Sequence, residues 1–117
     1  MNSCGGRNLI IRNMKHWYVY IMANKPKGVI YIGVTDNIRE RVKEHQLKYY
    51  PKSFTSKYNC DKLVYIEEFE KGSCAANRER QLKKWKRDWR IRIIEEINPG
   101  WMDISMNWNL DYRKFRK

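Results

Sequence analysis

The sequence predicts an α+β fold organised around one β-hairpin, and three observations predict it. Two runs rich in β-branched and aromatic residues, Trp17 to Met22 and Val29 to Val34, flank a Lys25-Pro26-Lys27-Gly28 turn, which is a hairpin signal. The polar trio Thr35-Asp36-Asn37 offers N-cap residues ahead of an apolar-periodic run from Ile38 to His45, which marks a helix start. Beyond a third strand-like run, Leu63-Val64-Tyr65-Ile66, apolar residues recur at helical spacing as far as Ile97.

Residues 1–15 hold two glycines among polar and basic residues and read as a flexible leader without visible period. In the hairpin, alternation puts Trp17, Val19 and Ile21 on one face of the first strand, with Tyr18, Tyr20 and Met22 on the other. On the second strand Ile30, Ile32 and Val34 share a face, and Tyr31 and Gly33 share the opposite one. A four-residue loop, Asn24 to Lys27, would pair Ala23 with Gly28 and set Tyr20 directly across from Tyr31; Pro26 suits the type I turn such loops use. A slip of one residue would separate the tyrosines onto opposite faces.

In the first helix Ile38, Val42 and His45 form one stripe, and Arg41 lies beside it, one turn before His45. Taken alone, Arg41 reads as a surface arginine and His45 as a packed or edge histidine. Residues 46–61 read as a long loop, with Lys48, Lys52 and Lys57 either meeting phosphates or lying on a solvated connection; loops of that length are often functional. The third strand runs on to Phe69, and Glu67, Glu68 and Glu70 near its end read as edge charges.

Ala75, Leu82, Trp85, Trp89, Ile93 and Ile97 mark the inward stripe of one long helix, or of two joined near Asp88. Glu79 falls on that stripe. A carboxylate facing inward is costly unless it is paired or holds a cation, so Glu79 is either a cation ligand or one half of a buried pair with an arginine. Arg78, Lys83, Lys84, Lys86 and Arg87 surround it and form the face expected to meet phosphates. Basic residues interleaved with aromatics can also stack bases, but Trp85 and Trp89 sit on the apolar stripe and are expected in the core. After Asn98-Pro99-Gly100, Trp101, Met102 and Ile104 are expected to tuck back onto it. Residues 105–117 form a short basic tail.

Four features in order now carry a resemblance. They are Tyr18-Val19-Tyr20, Tyr31-Ile32-Gly33, Arg41 ten residues after Tyr31, and Glu79-x-x-Leu82-Lys83. Over residues 16–104 the chain resembles the GIY-YIG nuclease superfamily, most closely its small stand-alone, single-domain members. The resemblance implies a three-stranded antiparallel sheet flanked by helices and hydrolysis of phosphodiester bonds with one divalent metal, Mg²⁺ or Mn²⁺. It implies Glu79 as metal ligand, Tyr20 orienting or deprotonating the attacking water, Tyr31 assisting, and Arg41 stabilising charge on the phosphate. His45 matches an assisting position. A phenol titrates near pH 10, and the metal, Arg41 and the positive field are expected to lower Tyr20. Val34 stands where some repair nucleases carry a lysine, and Asn98 is the nearest counterpart of a family asparagine.

Composition bounds the rest. At 117 residues the chain is large enough for one core. Its formal charge of +12, from 25 Lys and Arg against 13 Asp and Glu, favours phosphate-rich partners. No helix shows a clean basic amphipathic face, so nucleic acid is preferred to a membrane surface, and DNA to RNA. Cys4, Cys60 and Cys74 form no Cys-x-x-Cys pair, which argues against zinc and a disulfide framework and for a reducing compartment. Leu9-Ile10-Ile11 is too short for a signal or a span, so the expected location is the cytoplasm. These readings converge on a metal-dependent DNA endonuclease of repair, recombination or nucleic-acid turnover, with a possible homodimer or protein partner. The alternative is a nucleic-acid-binding module that keeps the fold without catalysis.

Overall fold

In the computed structural model, residues 16–107 are described; the expected leader 1–15 and most of the basic tail lie outside them. The elements in chain order are β1 (Trp17–Ala23), β2 (Ile30–Thr35), α1 (Ile38–Gln46), α2 (Phe54–Lys57), β3 (Lys62–Phe69), α3 (Gly72–Lys84) and α4 (Arg87–Ile97), closed by a 3-10 turn, Ile104–Asn107. The three strands form one antiparallel sheet in the order β2-β1-β3, so the first strand is the central one. The fold is α+β, as expected.

Alternation sorts the strands into two faces, and each face is covered. Val19, Ile21, Ala23 and Ile32 pack with Cys74, Ala75 and Leu82 of α3, Ile94 of α4 and Trp101. Tyr20 and Met22 pack on the opposite side with Ile38 and Val42 of α1, and with Cys60 and Leu63. The register slips between Ile21 and Met22, which oppose Tyr65 and Leu63. This β-bulge turns the successive residues Val64 and Tyr65 to the same cluster.

The hairpin register differs from the expected one. Ala23 pairs with Ile30, so Tyr20 opposes Gly33 and Met22 opposes Tyr31. The loop is longer because Asn24 ties it shut from within, its Oδ1 accepting from the Val29 amide at 2.8 Å. The shift is two residues, an even number, so Tyr20 and Tyr31 keep a common face.

Four more expectations are corrected or refined. Residues 46–61 contain a helical turn, α2, capped by Ser53, whose Oγ accepts from the Ser56 amide at 3.3 Å. The C-terminal helical stretch is two helices, as one of the two expected alternatives had it, and they join at Trp85 and Lys86, both extended at ψ 152, just ahead of Asp88. That break rotates the helical phase, burying Ile94 while Trp89 and Ile97 stay exposed. Met102 is likewise 69% exposed, whereas Trp101 is buried. Finally, Cys60 is a free buried thiol, pushed up to about 11 chiefly by burial, whereas Cys74 is disulfide-bonded.

Candidate active site

The central strand delivers Tyr20 to the sheet face that α1 covers, where its side chain is almost wholly buried. Its hydroxyl lies 2.9 Å from Nε2 of His45, one helical turn beyond Arg41 on α1. Nδ1 of His45 lies 2.7 Å from Oγ1 of Thr55 on α2, and Thr55 Oγ1 is 3.2 Å from Ser53 Oγ. A continuous hydrogen-bonded chain therefore runs from the phenol through the imidazole to two hydroxyls. Tyr31 closes the side: its ring centroid is 6.3 Å from that of Tyr20 and 5.4 Å from that of His45.

Gly33 makes this arrangement possible. A Cβ at that position would sit 2.5 Å from the Tyr20 hydroxyl oxygen and 2.6 Å from its ring carbon Cζ. No described glycine has positive φ, so Gly33 is present for the space it leaves, not for a special backbone conformation.

Arg41 flanks the phenol with its side chain 34% exposed, its Nη1 donating to Glu44 Oε1 at 2.8 Å. Arg41 and half-buried Tyr31 are the neighbours through which the buried Tyr20 approaches the surface. The electrostatics differ from expectation. Burial first, and the neighbouring Tyr31 second, push the Tyr20 phenol well above its ordinary range, and Arg41 only partly offsets them. His45 is held down to about 4, by burial first and by the Arg41 charge second. At neutral pH the two are an uncharged pair, one phenol and one imidazole.

That pair ties stability to pH. Unfolded imidazole titrates at about 6.5 and the folded His45 near 4, so between those values the unfolded chain binds the extra proton. The contribution is complete above the unfolded value and declines as pH falls toward the folded one, costing about 2 kcal/mol between pH 7 and pH 5. Denaturant titrations at the two pH values check this. The slope should flatten in His45→Gln, and an equal slope in that variant would reject His45 as its source.

Glu79 stands on α3, which packs on the other face of the sheet and touches β1 and β2. It is half-buried, with Oε2 at 2.9 Å from Lys83 Nζ. The inward carboxylate is therefore paired, but with a lysine one turn away rather than with an arginine. Among the described residues no three His, Cys, Asp or Glu side chains cluster as a metal cage. A single carboxylate nevertheless suits Mg²⁺, which keeps several waters, once the exposed Lys83 swings aside.

The basic residues divide into two sets. Arg78 is committed, donating from Nε to Glu67 Oε1 at 3.0 Å and lying 5.2 Å over the Trp85 ring. Arg87, although exposed, donates from Nη2 to the carbonyls of Lys27 and Gly28, at 2.6 Å each, and so braces the hairpin turn. Lys84 and Lys86 are exposed, and Lys84 lines a shallow groove with Arg80 and Trp85. Glu67 pairs with Arg78 and Glu68 with His16, so neither is a bare edge charge. Asn98 is no part of the tyrosine site. It is buried at the end of α4, donating from Nδ2 to the carbonyls of Val64 and Met102. Thr55 and Ser53 were missed from sequence, although Ser53 ahead of Phe54 carries a helix-cap signal.

Residues 16–92 match the GIY-YIG catalytic domain. A UPF0213 protein of Syntrophus aciditrophicus is 35% identical over 82 residues, 70% of this chain and 92% of that protein. One of Clostridium perfringens is 36% identical over 77 residues, 66% of this chain and 81% of the relative. One of Staphylococcus haemolyticus is 35% identical over 82 residues, 70% of this chain and 96% of its own. No solved structure matches the chain. The chain belongs to the GIY-YIG family, in its small stand-alone group, and carries that family's nuclease-type catalytic domain.

Proposed function

We propose that this protein is a divalent-metal-dependent endonuclease that hydrolyses phosphodiester bonds in DNA, serving repair, recombination or nucleic-acid turnover in the cytoplasm. The observation that supports it best is the Tyr20–His45–Thr55 chain, with the more exposed Tyr31 and Arg41 beside it. A buried polar relay that ends beside a half-exposed arginine is more than packing requires.

In this reading Tyr20 orients the attacking water, reached between Tyr31 and Arg41. As the water attacks, Tyr20 Oη takes the water's proton while its own phenol proton passes to Nε2 of His45. For that, Nε2 must be the unprotonated nitrogen, and Nδ1–H donating to Thr55 Oγ1 selects that tautomer. Arg41 favours the phenolate and receives the charge that develops on the phosphate, a task its planar fork suits. Glu79 is the residue that would hold Mg²⁺ or Mn²⁺, which when bound polarises the phosphate and stabilises the leaving oxygen. Lys84 and Lys86 meet the backbone, with Lys83 joining them once it leaves Glu79. The larger set, with Arg78 and Arg87, is reduced because both arginines are spent on internal contacts.

The test is a cleavage assay on labelled DNA and RNA with Mg²⁺, Mn²⁺ or EDTA. The Glu79→Ala variant should lose metal-dependent cutting while its binding and melting stay near wild type, because a pair with an exposed lysine is worth little. Normal cutting by that variant would reject Glu79 as the ligand. Binding without cutting in any metal would reject the nuclease and leave the non-catalytic module.

A further inference from the structure

We infer that residues 49–58 form a stacking platform for unpaired nucleotides, which makes single-stranded nucleic acid next to the cleaved bond the preferred substrate; this rests on the nuclease reading and narrows it. The segment is flanked by left-handed residues, Lys48 at φ 54 and Asn59 at φ 58, joined by a hydrogen bond from Lys48 Nζ to Asn59 Oδ1. A loop with its ends tied together is a compact Ω-type unit, often a functional one. Its inner side is buried: Thr55, 2% exposed, holds His45, and Ser56 is 8% exposed.

Its outer side is aromatic. Tyr49, Tyr50, Phe54 and Tyr58 are 66%, 51%, 45% and 43% exposed. With Leu47 they make up five of the nine exposed large apolar side chains among the described residues. Such clustering departs from the scattered single exposures that a soluble surface carries, and it marks an interaction site.

The rings also lead to the tyrosine site. Phe54 lies 6.0 Å from the Tyr31 ring and Tyr58 4.8 Å from Phe54, centroid to centroid. On the other side Arg41 is 5.8 Å over the Tyr50 ring, which meets Tyr49 at 5.2 Å. Lys48, Lys52 and Lys57 are exposed between the rings, and residues 47–60 contain no acid. Exposed rings interleaved with cations match a strand that presents bases and phosphates together. In a continuous duplex both faces of every base are already covered by its neighbours, so these rings can stack only on bases that have left the helix.

Binding measured without metal separates this proposal from the nuclease reading. A 2-aminopurine oligonucleotide would be titrated with the full chain in EDTA, once as a single strand and once in a blunt duplex. The single strand should bind about ten-fold tighter or more, as expected for one well-stacked base, with quenching of the probe. Phe54→Leu and Tyr58→Leu should each remove most of that preference and leave duplex affinity unchanged. The Tyr58 ring packs on Phe54, which in turn packs on Tyr31, so the Tyr58 variant reads the platform one ring away from the site. Equal affinity for the two forms, or a loss shared equally by both, would overturn the proposal, as would a surface that takes up acidic peptides in preference to either. If the strand preference holds and nothing is cut, the nuclease reading alone fails; if both forms are cut alike without ring-dependent binding, only this one does.

Discussion

Gly33→Ala should destabilise the protein by roughly 2–4 kcal/mol, the sum of overpacking and a broken buried hydrogen bond. In a domain of this size that lowers the melting temperature by roughly 10–25 °C. The added methyl would meet Tyr20 Oη, Cζ and Cε1, at 2.5, 2.6 and 2.9 Å. An exposed tyrosine would swing away, but this one is buried and its hydroxyl is engaged with His45. Strand β2 is paired to β1 through this residue, so the backbone has little freedom to retreat. The cost is steric and specific to one partner, which makes it testable as a cycle. In a Tyr20→Leu background the obstructing atoms are gone, and Gly33→Ala should cost much less there. Equal costs in the two backgrounds would show that the glycine answers to something else.

Tyr20→Phe should reduce cleavage by about 10²–10⁴-fold, the range for loss of a positioned acid–base group, while the fold survives. The ring stays in its packing, and the lost hydroxyl leaves Nε2 of His45 without its partner, worth about 1 kcal/mol. Single-turnover rates at saturating DNA would isolate the chemical step from binding. A rate near wild type would remove Tyr20 from the chemistry and move the role to Tyr31, the more exposed of the two phenols. The raised proton affinity of Tyr20 sharpens this expectation. A phenolate does not stand ready in the resting protein, so its formation has to be coupled to His45 and to the charge of Arg41.

Much of this was legible because periodicity survives small errors. The hairpin register differs from the expected one by two residues, yet a two-residue period returns each side chain to its face, and Tyr20 and Tyr31 come together regardless. Asn37 caps α1 as its side-chain chemistry implied, accepting from the Glu40 amide. A junction near Asp88 was legible as one of two alternatives, but its position at Trp85 and Lys86 was not, since neither residue is a helix breaker and the apolar stripe runs through without a gap. Trp89 lies outside the expected core for that reason. Thr55 was hidden differently: α2 spans four residues, too few to show a period, and a threonine among serines and lysines says nothing of the histidine it holds. Arg78 looked like its basic neighbours because Glu67, eleven positions earlier, becomes its partner only when β3 and α3 meet.

The strand order β2-β1-β3 also bears on how the chain is made. Tyr20, Tyr31, Arg41, His45 and Thr55 all lie within the first half of the sequence, and a ribosome releases them early. Yet β1 remains half-paired until Lys62–Phe69 arrives on its other edge, and α3 and α4, which cover the second face, come later still. Arg87 must then travel back across the fold to brace the turn at Lys27 and Gly28. Closing contacts of that span costs chain entropy before any of it is returned. A fragment ending before β3 would therefore hold these five side chains and still lack the site, with the apolar edge of its middle strand open to aggregation during synthesis.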